Sequence, residues 1–558
     1  MNSTQKNFRN GPSKQIIAQL DMDVFSIIHF SVNTFTNREW GYGNPEDADM
    51  FNPVEFDAEQ IVSAARDGGL KGIILVCKHH DGFCLWPTKT TSYNISNSPW
   101  RGGKGDIVRE ISDACRKFGL KFGVYISPWD RNCAVYGTPA YIPIFEQQIR
   151  EVLSQYGEIF EMWFDGANGG DGWYGGACEK RDIGKIKDYY QWSRIHGIVR
   201  ELQPNARMFG GPDLRWCGNE RGHIPPESRS SISPIDWANT SQAEAYALQQ
   251  MGQKDGLYFK PAECDFPMRR GWFYHPESDG LSRGPLTLLM DYLNTVGNGG
   301  LMNIGLAPDR RGLLTDEDCR KLKGFGKKLK MLRGTKVFEF SAEGAGRHVF
   351  QIPGDPPFDV IELVEDIAKA DGEKVEHYTV SLDGTVLAQG EVIGMHRIRL
   401  LKKPVQGAEL VLELAGDSFV RFTGWRADAE LFTPDDDPAK IFLDPALEDV
   451  TGKIIASDAK SITLDLGRER KLNGFVFTPD PDDLEGLPLR YSIKASDDGQ
   501  NWHWLALDEG FENIQANPIP QRVLFRSTVT RYLRFMSYLA VKEGTPMKVK
   551  AFAILKQD

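Results

Sequence analysis

"EIFEMWFDGANGG", residues 158–170, sets a run of apolar and aromatic side chains around one glutamate, Glu161, and then ends on Asp165 between Phe164 and Gly166. The run has the length and composition of a core strand, so an acid stands at its end. A carboxylate in such surroundings is costly unless something pairs with it or uses it, so Asp165 needs a structural or a catalytic reason to be there. Glu161 lies four residues earlier and shares the strand parity of Asp165. It is expected to face the same interior in a deeper layer, where it needs a polar partner.

The surrounding chain repeats this pattern. From residue 25 to 333, short apolar runs alternate with amphipathic stretches: "SIIHFS", "GIILVCKH", "KFGVYIS", "IFEMWFD", "ARMFGG", "LYFKPAE" and "GLMNIG" read as strands. Between them "AEQIVSAARDGG" has a helical period and a glycine stop, and "DYYQWSRIHGIVRELQP" runs to a proline. "GDIVREISDACRKFG" places Ile107, Val108, Ile111 and Cys115 on one face. No G-x-G-x-x-G follows the first strand, which argues against a dinucleotide-binding sheet. The fold class is therefore α/β, a (β/α)8-like TIM barrel over residues 1–334, followed by two all-β sandwich domains.

The first sandwich is expected over 335–432, where "RHVFQI", "HYTVSL", "HRIRLL" and "AELVLEL" alternate around turn signals such as Asp383-Gly384. The second is expected over 433–558, opening on an acidic, proline-bearing linker, "TPDDDPAK", and continuing through "SITLDLG", "NGFVFTP", "RYSIKAS" and "RYLRFMS".

Composition closes off several classes of function. The 558 residues are 41% hydrophobic and 26% charged, as in ordinary globular proteins, with a net charge of -11 that disfavours nucleic acid as a partner. No apolar run reaches the roughly 18 to 20 residues of a membrane-spanning helix. The eight cysteines form no C-x-x-C pair and read mostly as free buried thiols. "MNSTQKNFRNGPSKQ" has no apolar h-region, so the compartment stays open: periplasmic or secreted if an export signal has been removed.

In a βα barrel, catalytic groups come from the C-terminal ends of several strands, because the loops there share one mouth. Those ends carry His29, then Glu39 and Trp40 on the following loop, His79, His80 and Asp81 in "KHHDGF", Tyr125, and Asp165. Later loops add Asp213 and Glu220 in "GPDLRWCGNERG", and Glu263, Asp265, Trp272 and His275 in "PAECDFPMRRGWFYHP". Carboxylates, neutral hydrogen-bonding groups and indoles without a phosphate cradle suit a sugar: hydroxyls take fixed partners, an apolar ring face stacks on tryptophan, and glycosidic cleavage needs two carboxyls. No metal is expected, since adjacent histidines on an extended chain point to opposite sides and no H-x-x-x-H spacing appears. Asp81 precedes a glycine turn and reads as structural.

"IIHFS…NREW", "GLKGIILVCKHHDGFCLWPTKTTSYN", "KFGVYISPWD", "EMWFDGA" and "GGLMNIGLAPDRRGLL" resemble the α-L-fucosidases of glycoside hydrolase family 29, over essentially all of residues 25–333. The sequence departs from the family at "HFSVNTF", where many members carry a glycine after the aromatic. The resemblance implies a retaining exo-α-L-fucosidase in which Asp165 is the nucleophile. Glu220 resembles the acid/base of the subfamily that cleaves α-1,3 and α-1,4 linkages in branched, Lewis-type glycans, with Glu227 and Glu263 as rivals. The substrate is then a fucosylated oligosaccharide or glycoconjugate. His29, Glu39, Trp40, His79, His80 and Tyr125 match fucose-binding positions, Glu263 is expected to bind substrate or the branching sugar, and Trp272 to form a platform for the aglycone. In a retaining enzyme the two catalytic carboxyls stand about 5 to 5.5 Å apart. Residues 433–558 resemble a discoidin-type (F5/8 type C) carbohydrate-binding module, through "ITLDLGRERKLNGFVFTPD" and "YSIKASDDGQNW". No cofactor is implied beyond a structural calcium ion, as in similar modules, for which the sequence shows no diagnostic ligand spacing.

Overall fold

Eight parallel strands form the first sheet of the computed structural model, which describes residues 11–556 apart from 185, 187, 237–238, 435, 437–445, 459, 481–483, 512–513, 515–517, 519 and 543. They are β1 (Val24–Ile28), β2 (Gly72–Lys78), β3 (Lys121–Ile126), β4 (Glu161–Trp163), β5 (Arg207–Phe209), β6 (Arg215–Trp216), β7 (Ala262–Pro267) and β8 (Leu301–Leu306). Their order is β5-β4-β3-β2-β1-β8-β7-β6. The Leu214 N–H donates to the Met208 carbonyl (3.1 Å), carrying the chain from β5 to β6 and leaving the barrel nearly closed. Strands covered on both faces need no polar alternation, which is why β2 is apolar from Gly72 to Cys77 and buried from end to end, Lys78 included.

The helices follow from capping as much as from period. In α1 (Ala58–Asp67), the Asp57 carboxylate accepts the N–H groups of Glu59 and Gln60. In α2 (Ile107–Phe118), Asp106 accepts the Arg109 N–H, Gly119 ends the helix at φ 74°, and Ile107, Val108, Ile111 and Cys115 are all buried, as their spacing requires. The helix within "DYYQWSRIHGIVRELQP" is Trp192–Leu202, starting later than the sequence pattern.

Three features depart from the sequence reading. The helix α3 (Tyr141–Gln155) is not among the helical segments read from the sequence. Pro143 sits in the first turn, where its missing N–H would have had no intrahelical acceptor. No helix separates β5 from β6, since Gly210 (φ 68°), Gly211 and Pro212 turn the chain straight into the next strand. "LYFKPAE" is not one strand: Tyr258–Phe259 pairs antiparallel with Ser231–Ile232, and the barrel strand β7 begins only after Pro261, which has no N–H to donate to a ladder.

Contacts divide the chain into two compact units, residues 1–236 with 247–431, and 237–246 with 432–558. In the first unit the barrel packs against a sandwich of two antiparallel four-stranded sheets. Arg333 ties them by donating to Glu362 (2.7 Å), and the Asn298 Oδ1 atom accepts from Arg397 and Arg399 (3.1 Å each). Asp383 (φ 47°) and Gly384 (φ 80°) make the expected two-residue turn between His377–Leu382 and Thr385–Gly390. In the second unit, one long strand, Ser461–Thr478, replaces the two read from "SITLDLG" and "NGFVFTP". Its irregular register between Asp465 and Arg470 is where the sequence pattern broke. Phe475, Tyr491, Phe535 and Phe552 form the centre of its core. The "TPDDDPAK" stretch lies mostly outside the described residues.

Candidate active site

The barrel interior is layered, and its lower layer is a sealed ionic cluster. Arg207 on β5 donates to Glu161 on β4 (Nε to Oε2, 2.6 Å), and both side chains are buried. The guanidinium also lies over the rings of Phe25 (4.9 Å) and Phe160 (5.5 Å). Beside it the Glu263 Oε1 atom accepts from Trp163 Nε1 (3.0 Å) and Asn303 Nδ2 (2.9 Å). Burial, and then Glu263, push the Glu161 carboxyl well above the usual range; burial also raises Glu263. Beside a single arginine, each of the two carboxyls disfavours ionisation of the other.

This placement corrects the position inferred for Glu263. It is the second residue of β7, fully buried in the floor, because the strand starts after Pro261 rather than ending near Glu263. The inward-facing residue one step nearer the mouth is Asp265, which the sequence reading placed on the rim beside Glu263 without giving it a role. Correct placement of β7 is what separates Asp265 at the mouth from Glu263 in the floor. Glu161 has the polar partner its parity demanded.

The upper layer opens at the mouth. Asp165, two residues beyond the end of β4, keeps 23% of its side chain exposed. Tyr125 Oη donates to its Oδ2 atom (2.9 Å), and the Ala167 N–H donates to Oδ1 (2.6 Å). Among the described residues it pairs with no arginine or lysine. His80 Nε2 stands 3.9 Å from Oδ2, and His80 Nδ1 hydrogen-bonds Ser127 Oγ (2.7 Å).

His29, His79 and His80 line the same mouth as neutral imidazoles. Burial lowers His80 to about 4 and His29 to about 3, and drives His79 well below its ordinary value. The rings of His79 and His80 lie 4.0 Å apart, contrary to the extended-chain expectation. The chain turns there, with the Gly82 N–H (φ 90°) donating to the His79 carbonyl (3.1 Å), so both side chains reach one site. The Nδ1 atoms of His29 and His79 are buried and have no hydrogen-bond partner among the described residues. Such atoms are ready to meet ligand hydroxyls. Asp81 supports the turn, accepting from the Phe83 N–H (2.8 Å) and Asn33 Nδ2 (3.0 Å).

Two loops complete the rim. Trp40 is 45% exposed and meets His80 edge-on at 5.2 Å. Its loop is braced by Arg131, which donates to the carbonyls of Trp40 (3.1 Å) and Gly41 (2.7 Å). Glu39 spends its carboxylate on the loop opposite, accepting from the N–H groups of Trp272 (2.8 Å) and Phe273 (3.1 Å), with His275 Nε2 at 2.5 Å. That clamp sets Trp272 against His29, at 4.9 Å between rings, and Trp272 Nε1 donates to Glu220 Oε2 (3.2 Å). A β-carbon at Gly305 would stand 2.8 Å from the indole, so a glycine there makes room for it. Asp213 lies apart from the mouth, accepting from Ser13 Oγ (2.8 Å) and the Met208 N–H (2.9 Å).

The mouth thus gathers Asp165, Glu220, Asp265, three neutral histidines, Tyr125, Trp40 and Trp272. Among the described residues, no group of three or more His, Cys, Asp or Glu side chains is placed to hold a metal ion. No helix among them is long and apolar enough to cross a membrane. The arrangement offers one anchored, accessible carboxylate and a second carboxyl on a loop, with a polar and aromatic wall between: the equipment for displacement at a sugar carbon.

Comparison with known proteins agrees with this chemistry. The family profile "Alpha-L-fucosidase" matches residues 13–332, and the profile "F5/8 type C domain" matches residues 452–539. Alpha-L-fucosidase 1 of Arabidopsis thaliana is 38% identical over 318 residues, 56% of this chain. The plasma alpha-L-fucosidase of Homo sapiens is 39% identical over 214 residues, 35% of this chain. The chain spans about half the length of these curated relatives, 59% and 44% respectively. A crystal structure of a glycoside hydrolase 29 family member from an unknown rumen bacterium superposes with a TM-score of 0.73 at 31% identity, covering 98% of this chain and 99% of that one.

Proposed function

The chain belongs to the α-L-fucosidases of glycoside hydrolase family 29, and from that premise we propose that it is a retaining exo-α-L-fucosidase acting on α-1,3- and α-1,4-linked fucose in branched, Lewis-type glycans. The observation that carries the reading is the state of Asp165. Its carboxylate is held by one phenol and one backbone N–H, faces solvent, and among the described residues pairs with no arginine or lysine. A carboxylate so fixed is a nucleophile in waiting.

In the first step an Asp165 oxygen attacks the anomeric carbon while Glu220 gives its proton to the glycosidic oxygen, so the aglycone leaves neutral and a fucosyl ester remains on Asp165. In the second, Glu220 takes a proton from water, whose oxygen attacks the same carbon and frees Asp165. His29, His79 and His80 orient the fucose hydroxyls as neutral donors and acceptors, and Tyr125 fixes the attacking carboxylate. Trp272 presents an indole to the leaving sugar and orients Glu220. Support for the linkage preference comes from "RWCGNERG", the loop that places Glu220 against Trp272. The C-terminal module, through its F5/8 type C match, is proposed to hold the enzyme on glycan-bearing material.

The test is release of free fucose from a Lewis-type trisaccharide by wild type and by Asp165→Ala, beside an α-1,2-fucosylated control. Release by wild type and none by the variant is expected; equal rates from the variant would refute the nucleophile. Azide should restore turnover of an activated aryl fucoside by Glu220→Ala, giving a fucosyl azide.

A further inference from the structure

The C-terminal module carries two neighbouring cations that no carboxylate answers. Lys494, on the strand Pro488–Ser496, lies between buried Ile493 and Ala495, and Arg534, on the strand Gln521–Ala540, lies between buried Leu533 and Phe535. Both therefore stand on the outer face of the sheet. They are register partners, directly opposite each other across an antiparallel pair. Like charges so placed destabilise a sheet. Elsewhere in the module Arg531 is met by Asp465 (2.9 Å) and Lys542 by Glu485 (2.9 Å), whereas among the described residues Lys494 and Arg534 form no ion pair. Asp458 feels the Arg534 charge, but its oxygens accept from its own turn: the N–H groups of Lys460 (2.8 Å) and Ser461 (2.7 Å) and the Ser461 hydroxyl (3.0 Å).

Both cations are held in place. The Lys494 ammonium lies 4.0 Å over the ring of Trp504, its register partner on the other side, and the Arg534 guanidinium lies 4.3 Å over the ring of Trp502. Arg534 Nε donates to Thr463 Oγ1 (3.0 Å), in the same register row on the next strand, which leaves the two terminal nitrogens of its fork without an acceptor among the described residues. Trp504 is 44% exposed, and Tyr538, which shares the strand parity of Arg534, is 51% exposed. We infer that this outer sheet face binds the sulfate groups of a sulfated glycan. A sulfate ester offers three acceptor oxygens, two for the arginine fork and one for the ammonium, where a carboxylate offers two. The bound anion relieves the repulsion between the cations, and the open indole gives the sugar ring an apolar surface. An anionic membrane is less well matched, because both indoles lie against cations instead of projecting toward a bilayer. The chain carries a net charge of -11, so a polyanion is repelled except where cations gather.

Such a ligand deepens the reading of the module as glycan-binding and rests on it, and the experiment keeps the two apart. The full-length chain and its Lys494→Gln/Arg534→Gln variant are run in affinity electrophoresis through gels containing dextran sulfate, polygalacturonate or neutral dextran, with hydrolysis of an aryl fucoside as the measure of folding. Wild type should be retarded by dextran sulfate, less by polygalacturonate and not by dextran. The double variant should bind dextran sulfate at least tenfold more weakly, with its aryl fucosidase rate unchanged. Wild-type retardation of the double variant, or none of wild type, would overturn the inference. Equal binding of polygalacturonate would overturn the choice of sulfate, and retardation by dextran alone would overturn this face while leaving the module a glycan binder. Sedimentation with phosphatidylserine vesicles but no retardation by dextran sulfate would assign the face to membranes and overturn it as well. Should the double variant not fold, Lys494→Gln carries the test, since Lys494 makes no side-chain hydrogen bond among the described residues. A threefold or greater loss of dextran sulfate affinity supports the site, and wild-type affinity refutes it.

Discussion

Glu161 and Asp165 stand four residues apart on one stretch of chain and point into one barrel, yet they do opposite work. Glu161 is sealed in the floor with Arg207 at 2.6 Å, and burial and the neighbouring Glu263 push its carboxyl well above the usual range. Asp165 meets solvent, a tyrosine hydroxyl and a backbone N–H. Depth makes the difference. A buried acid must be neutralised, and once neutralised it is scaffold; an acid at the mouth is held only as far as its orientation requires and stays open to a ligand.

The sharpest break in that comparison is Asp165→Asn. Hydrolysis should fall roughly 10,000-fold or more, as when a nucleophile is removed from other hydrolases, while the melting temperature holds or rises. Steady-state rates and calorimetry on one preparation check both halves. Arg207→Met should do the reverse. It strands the floor carboxyls without their cation and should cost about 3 to 5 kcal/mol in urea denaturation, with kcat of the folded fraction nearly preserved.

Tyr125→Phe tests how firmly the mouth acid is held. Loss of a hydrogen bond to a charged group, worth about 1.5 to 3 kcal/mol, should lower kcat/KM by about tenfold to a hundredfold. A pH-rate profile unchanged in shape would show that the phenol positions Asp165 rather than titrating.

The smallest effect concerns the histidines. His80 titrates near 4 when folded and near its ordinary 6.5 when unfolded, so the unfolded chain binds the extra proton between those values. Its contribution to stability is complete above pH 6.5 and is lost as pH falls toward 4. The stability difference between wild type and His80→Gln, measured by urea titration, should therefore shrink steadily over that window.

Some of this was legible in the chain. The period of α2 and the acid that follows the β4 run are local properties, set by which side chains tolerate burial; the first is seen unchanged, and the second stands two residues past a strand that ends at Trp163. The short strand β6 was not legible, because two residues carry no period. Glu263 was assigned to the rim because "LYFKPAE" looks continuous, although Pro261 divides an outer hairpin strand from the barrel strand. That shift moved Glu263 to the floor and left Asp265 alone of the two nearer the mouth.

The sequence by itself determined the βα alternation, the all-β character of the second half and the kinds of side chain that end the strands, since these depend on neighbours along the chain. Only the tertiary structure decided which acids meet. The turn that sets His79 beside His80, the Glu39 clamp that brings Trp272 to Glu220, and the Arg207 pairing that seals Glu161 in the floor are contacts of the folded chain. Charge and depth, which fix what a carboxyl can do, are properties of that assembly and not of any local run of residues.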